Sequence, residues 1–490
     1  MSKSATVIGS GFSSLAAATS LADAGVNVTV IEKNDTLGGR ARKFNSNGFT
    51  FDMGPSWYWM PDVFESYFNR FGKSASDYYS LKRLDPSYRV FFKDEYIDMP
   101  ASMTELETLF ESREKGAGKK LQQFLKDAAY KYDAGINDLV KRPSLSIFEF
   151  ASWKVLKGLF QLDLFGNFHD FARKYFKDEK LLSIIEFPVL FLGAMPKETP
   201  ALYSLMNYAD LKLGTWYPMG GMFKVVEGMV ELAKEKGVKF NTSEPVTKIE
   251  KGAPLILKTD SKEYKSDFVI GGADYAHIEQ SLLSENLRQY SPSYWEKRVM
   301  APSCLLFYIG VNRRVKNLRH HNLFFDADFS AHAEEIYKTK NWPKSPLFYV
   351  CAPSITDSSV APNGQENLFF LIPIATGING DTEEVREHYF HMMLDRLKKH
   401  TGEDISEDII YKRSYSVSEF INDYNAFKGN AYGLANTLMQ TAFLKPRIQH
   451  KKLLNLYYTG QLTAPGPGVP PSLISGQVVA DHIIANNNLK

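Results

Sequence analysis

The chain is poor in cysteine, in long apolar runs and in charge imbalance. Only Cys304 and Cys351 occur among 490 residues, so no disulfide framework holds the fold, and a reducing cytoplasm is expected. Lysine and arginine number 58 against 56 acidic residues, a formal net charge of +2. Without a basic block, the electrostatic footprint of a nucleic-acid binder is missing. The best apolar runs, Phe187 to Met195 and Leu368 to Ile374, fall well short of the ~20 residues a membrane-spanning helix needs. No positively charged leader precedes an apolar core, which again points to the cytoplasm. Phosphate loops, nucleophile elbows and paired-carboxylate patterns are also absent. His320-His321 has no carboxylate or cysteine at ligand spacing, and His388 and His391 sit in a charged helical pattern, so no metal site is expected. With no evident protein acid or base, the hard chemistry belongs to a cofactor.

What is present is apolar and aromatic. Hydrophobic residues make up 44% of the chain, including 34 Phe and 26 Tyr, enough to line an apolar ligand cavity as well as a core. Near the N-terminus, the run Ala5 to Ile8 reads as a buried parallel strand, followed by Gly9-Ser10-Gly11 and then Leu15-Ala16-Ala17-Ala18 as a helix. Gly9 allows a tight turn, and Gly11 lets a pyrophosphate approach the helix start, where backbone amides lack partners. Ser14 replaces the third glycine of this pattern. Glu32 ends a second strand, Val28 to Ile31, where a carboxylate accepts the hydroxyls of an unphosphorylated ribose and repels a 2′-phosphate. A ligand-free glycine turn remains the alternative reading of these residues alone.

Two further constellations narrow it. Gly38-Gly39-Arg40 follows Glu32, and simple nicotinamide enzymes do not require it; its amides and Arg40 suit the flavin end of a pyrophosphate. Thr463 to Ser472, rich in glycine and proline, opens a helix whose amide donors suit an isoalloxazine carbonyl, though a rigid helix entry needs the same residues. Helical spacing runs over 61–72 and 102–180, and the cationic amphipathic stretch Trp153 to Lys177 reads as a membrane-surface helix or a substrate-domain helix. Strands are expected at Val238 to Asn241, Val246 to Ile249 and Asp267 to Ala273, in one sheet with the N-terminal unit. Segments 303–311, 346–352 and 367–375 suggest a second, mixed sheet. Asn455 to Thr459 and a helix from Ser472 to Asn486 return to the first domain, which is thus assembled from separated pieces.

Landmarks recur along the whole chain: Phe51-Asp52-Met53-Gly54-Pro55-Ser56, Leu84-Asp85-Pro86, Gly214 to Gly221, His320-His321-Asn322, Asn425 to Leu434 and Tyr457 to Ala480. With the N-terminal motifs, they make the chain resemble the bacterial-type carotenoid desaturases, the phytoene desaturase branch of the flavin amine oxidase superfamily. The resemblance implies an α/β fold with a doubly wound, Rossmann-like FAD-binding domain of three chain segments (1–75, 219–290 and 450–490). An α+β substrate domain (76–218 and 291–449) would hold the mixed sheet and a helical, membrane-facing region around 102–180.

It further implies an FAD enzyme that removes hydrogen from adjacent carbons of a long isoprenoid, forming lycopene from phytoene by repeated steps. A 3,4-desaturase acting on a later hydroxylated or monocyclic carotenoid is the alternative, and a flavin-free prenyl-binding protein like the GDP-dissociation inhibitors a second. Quinone or oxygen would be the terminal acceptor, at the cytoplasmic face of the inner membrane. The cofactor contacts carried over are Gly9, Gly11, Phe12, Ser13, Ser14, Glu32, Lys33, Gly39 and Arg40. Gly54, Pro55, Ser56, Gly460, Gln461, Gly468, Val469, Pro470 and Ser472 would face the flavin, and Val246 the adenine. Gln461 stands where the wider superfamily often has an acidic residue, so no carboxylate contact is expected there. Glu149 and Lys154 are the candidate proton handlers.

Overall fold

A computed structural model of the chain describes residues 3–146, 149, 166–190 and 193–489. Strand Ser4–Ile8 leads through Gly11, the N-cap, into helix Phe12–Asp23 and back to strand Asn27–Ile31. A five-stranded sheet forms around this unit in the order Leu456–Tyr458, Phe268–Gly271, Ser4–Ile8, Asn27–Ile31 and Lys239–Asn241, every pair parallel. Period-two alternation decides its two faces. Val7, Val30, Ile270 and Tyr457 join the core shared with helices Phe12–Asp23, Phe223–Glu235 and Val469–Asn486. Ile8, Val269, Leu456 and Tyr458 join Ile249, Leu255 and Leu257 on the other side.

Those last residues correct one expectation. Val246–Glu250 does not enter the parallel sheet; it pairs antiparallel with Leu255–Thr259, which pairs in turn with Glu263–Ser266. The turn through Gly252 and Pro254 is far too short for a parallel crossover, which needs about a dozen residues. The C-terminal helix likewise starts at Val469 rather than Ser472, because prolines in a first turn forfeit no helical hydrogen bond.

The second sheet has seven strands: Ile409–Tyr415, Ser303–Val311, Glu366–Ile374, Phe348–Cys351, His321–Phe324, Tyr88–Phe91 and Tyr96–Met99. It is mixed, with one parallel pair between His321–Phe324 and Tyr88–Phe91. Strand Ser303–Val311 is buried along its whole length and again sorts by parity. Leu305, Phe307 and Ile309 pack with Phe390, Met393 and Leu397 of helix Glu383–Thr401, whereas Cys304 and Leu306 line a cavity. Hairpin strands Lys43–Ser46 and Phe49–Asp52 lean on this sheet, through Phe49 against Gly310 and Asn367 Nδ2 donating to the Thr50 carbonyl. The 102–180 region carries helices Met103–Arg113, Ala117–Asn137 and Phe168–Arg173, with Glu179–Leu190 beside it. Most of the cationic stretch Trp153 to Lys177 lies outside the described residues. Among the described residues, no helix is long and apolar enough to cross a membrane.

Candidate functional site

Strand register builds the site before any side chain does. Ile8 is paired with both Ile31 and Gly271, and Gly271 with Tyr458. The residues that follow, Gly9, Glu32, Gly272 and Thr459, therefore emerge together at the carboxyl edge of the parallel sheet, where open α/β sheets bind ligands. Gly9 has φ +90° and Gly39 φ +55°, a region that strains other residues. A Cβ on Gly39 would stand 3.2 Å from Gly11 Cα, so the two loops touch backbone to backbone, while a Cβ on Gly11 would meet nothing within 4 Å. Open space thus faces the start of helix Phe12–Asp23, where unpartnered amides and the helix dipole favour an anion.

Glu32 is 4% exposed and does more than the sequence suggests. Its Oε2 accepts from Ser10 N at 3.0 Å and Ser10 Oγ at 2.6 Å, and its Oε1 from Asn34 N at 3.0 Å and Asn34 Nδ2 at 2.9 Å. Ser10 Oγ in turn accepts from Gly38 N at 3.0 Å. One carboxylate therefore clamps three turns, and a ribose would share it with Ser10 and Asn34. The side chains of Ser10 and Asn34 are contributors that the sequence did not single out; their turn positions beside the glycines are the signal. Lys33 donates to Asn422 O at 2.7 Å and Asn425 Oδ1 at 3.1 Å, and burial lowers its pKa. Arg40 Nη2 donates to Asn430 O at 3.1 Å, and its guanidinium lies over the Tyr424 ring. Arg40 Nε is buried without a protein partner. The Gln461 amide oxygen, turned toward Arg40 Nη2 at 3.2 Å and Gly433 N at 3.3 Å, completes this corner.

These residues share one cavity of about 1100 Å³ with Phe12, Ser13, Gly54, Pro55, Ser56, Val246, Gly460, Gly468, Val469, Pro470 and Ser472. The volume exceeds the usual range of about 300–1000 Å³ for a small-molecule site, which suits a cofactor and a second ligand together. Ser14 is the exception among the N-terminal residues. It is fully buried and fills the space beside Gly272 that a side chain there would need, so it packs helix on strand and does not line the cavity. Glu149 also differs from expectation: its carboxylate accepts from Ser144 N at 2.8 Å, Leu145 N at 2.8 Å and Ser146 N at 3.0 Å. It organises the turn that carries Ser144, a residue of the cavity wall, and does not itself line the cavity. Lys154 lies outside the described residues.

The far half of the cavity is apolar, with Phe187, Leu202, Leu205, Leu323, Phe325 and Leu371 among its walls. Its imidazole, His332, is fully engaged, accepting from Leu347 N at 3.0 Å on Nδ1 and facing Pro373 O at 3.0 Å with Nε2. Burial lowers its pKa to about 4. Between the halves, Tyr349 OH donates to Ser56 Oγ at 3.0 Å and meets His321 Nδ1 at 2.6 Å. The His321 ring stacks on Trp57 at 4.0 Å. Strand pairing sets Cys351 opposite His321. That neighbour is distant in sequence, which is why ligand spacing did not reveal it.

Comparison with known proteins agrees with this geometry. The profile of the flavin-containing amine oxidoreductases matches residues 12–484. A carotenoid 3,4-desaturase of Haloarcula japonica is 42% identical over 483 residues, covering 98% of this chain and 97% of the relative. A zeta-carotene-forming phytoene desaturase of Myxococcus xanthus is 30% identical over 487 residues, covering 98% and 93%. Among solved structures, an oxidoreductase from Methanosarcina mazei aligns over 98% of this chain and 100% of its own, with a TM-score of 0.64 at 16% identity; this likeness concerns the fold. The glycine cradle, the open space at Gly11 and the buried, unpartnered Arg40 Nε fit an adenine dinucleotide with a flavin. The chain therefore belongs to the flavin-containing amine oxidoreductases, in their carotenoid desaturase branch, and its cofactor is FAD.

Proposed function

We propose that this enzyme introduces a double bond between C3 and C4 of a C40 polyene, the alternative of the two carotenoid readings drawn from sequence. The observation that carries a polyene substrate is the apolar chamber continuous with the dinucleotide cradle. The choice of bond is supported by the greater identity to the Haloarcula japonica 3,4-desaturase than to the phytoene desaturase of Myxococcus xanthus. Lycopene formation from phytoene stands second.

FAD, when bound, supplies a two-electron oxidant. In this reading residues 1–75, 219–290 and 450–490 hold it, with Glu32 toward the ribose and Val246 toward the adenine. Gly9, Gly11, Gly39 and Arg40 face the pyrophosphate. Gly54 to Ser56, Gly460, Gln461 and Gly468 to Ser472 flank the ring. Residues 76–218 and 291–449 hold the substrate, with the hairpin Lys43–Asp52 lent to that side. The apolar walls exclude water and align the reacting carbons, and such placement is worth about 7–11 kcal/mol in favourable systems. His332 has no lone pair to spare, and what the described walls of the apolar half contribute is alignment.

Peripheral membrane contact belongs to the same proposal. Thr441, Ala442 and Phe443 line the cavity, and the adjoining Met439 and Leu444 are 74% and 39% exposed. An apolar rim at the mouth of an apolar chamber suits transfer from a lipid surface. The deciding experiment is expression in cells that accumulate phytoene, lycopene or a hydroxylated C40 polyene. New absorbance from the latter two and none from phytoene is expected; lycopene made from phytoene overturns the choice of bond. Liposome co-sedimentation should fall in Met439→Ser/Leu444→Ser, and unchanged sedimentation removes the rim from the proposal.

A further inference from the structure

We propose that His320, His321 and Cys351 form a site for a thiophilic cation, Zn2+, directly behind the cavity wall. Their ligand atoms all lie within 4.8 Å of one another. At coordination distances of about 2.0–2.3 Å, tetrahedral ligand atoms on one ion stand roughly 3.3–3.8 Å apart, so side-chain rotations that draw the set in by about 1 Å close it. The residues are 4%, 0% and 3% exposed. Both Nε2 atoms are buried with no protein partner, an arrangement costing about 1–3 kcal/mol per group. Two buried imidazoles with unpartnered nitrogens beside one thiol are the side-chain types that a thiophilic ion takes.

The opposite ring nitrogens have the partners that metal-binding imidazoles require. His320 Nδ1 lies 2.8 Å from Thr356 Oγ1, and His321 Nδ1 lies 2.6 Å from Tyr349 OH. Donation from each Nδ1–H to these oxygens leaves the Nε2 lone pair outward, fixing tautomer and ring orientation. Zn2+ binding converts the Cys351 thiol to thiolate and releases its proton, with no change of oxidation state. The remaining positive charge faces a small cavity that His320 and Cys351 share with Asp52, Ser56 and Tyr217. Asp52 supplies the counter-charge there, and the small cavity leaves a fourth coordination position. Because His321 stacks on Trp57 and Tyr349 holds Ser56, the ion pins the wall beneath Ser56-Trp57.

The test uses the full-length, FAD-loaded protein, incubated with Zn2+ and then dialysed. Elemental analysis should give one zinc per chain, and zinc-edge X-ray absorption should give one sulfur at about 2.3 Å with nitrogens at about 2.0–2.1 Å. Cys351→Ser should lose the sulfur shell, whereas Cys304→Ser should keep it. Thr356→Val, which removes only the His320 partner, should weaken zinc binding by about 10- to 100-fold. Wild-type protein with no stoichiometric zinc, or with bound zinc lacking a sulfur ligand, overturns the proposal. That outcome needs no variant to fold, and it is independent of which bond the enzyme desaturates.

Discussion

Gly476→Ala adds a single methyl and removes no hydrogen-bonding group, yet it should disable the cofactor site. Helices Phe12–Asp23 and Val469–Asn486 cross where Gly476 meets Ser13. A methyl at Gly476 would stand 2.9 Å from Ala16 Cβ and closer still to the Ser13 carbonyl oxygen. Ordinary carbon contacts need about 3.5–4.0 Å, so the helices must part by roughly an ångström. Overpacking of this kind costs about 1–3 kcal/mol. The larger consequence follows from position: Ser13 and the segment Gly468 to Ser472 line the same cavity from these two helices. A shift of about 1 Å in such a constellation can cost on the order of 100-fold in rate, and a loss of about 1.4 kcal/mol in binding is tenfold in Kd. Flavin fluorescence titration of the apoprotein should therefore show FAD affinity falling at least about tenfold, with desaturation falling further and far-ultraviolet circular dichroism unchanged. A variant that binds FAD and turns over like wild type would refute the reasoning that this helix crossing sets the cradle.

Glu32→Ala strands the Ser10 and Asn34 amides at about 1–3 kcal/mol each, while Glu32→Gln keeps one oxygen; FAD titration should rank wild type above Gln above Ala, and equal affinities would remove Glu32 from the site. Leu305→Ala, on the helix-facing side of its strand, should destabilise by about 2–5 kcal/mol in denaturant titration; Leu306→Ala, on the cavity side, should chiefly change KM for the polyene. Burial raises the Asp210 carboxyl from 3.8 to about 7, so between those values the folded state keeps a proton the unfolded chain has released, and stability falls as pH rises through that window. Asp210→Asn should flatten the fall in thermal melts at pH 4 and pH 8, and an unaltered slope would show that another group is responsible.

Much of the cofactor edge was legible because its signals are local. Gly9, Gly11, Glu32 and Gly39 are punctuation in a strand-turn-helix pattern, and their backbone roles follow from residue type. Strands 303–311 and 367–375 were likewise marked by unbroken apolar runs. What escaped the sequence is whatever register decides. Val246–Glu250 is β-prone like Phe268–Gly271, but its polar Thr247, Lys248 and Glu250 and the short turn through Gly252 and Pro254 suit an antiparallel sheet. Cys351 meets His321 through strand pairing alone, and the Glu149 carboxylate is engaged by three amides of its own turn. Ser14 fits because Gly272, distant in the chain, lacks a side chain.

The parallel sheet also sets an order in time. Its edge strand, Leu456–Tyr458, and the helix Val469–Asn486 lie far along the chain from the first helix, yet Thr459, Gly460 and the start of that helix wall the cradle the first helix opens. A ribosome-bound chain carries half a flavin pocket until Thr459 and the residues after it have been made. Capture of FAD consequently waits on both halves: a chain cut before Thr459, however well its N-terminal unit folds, lacks one wall of the pocket.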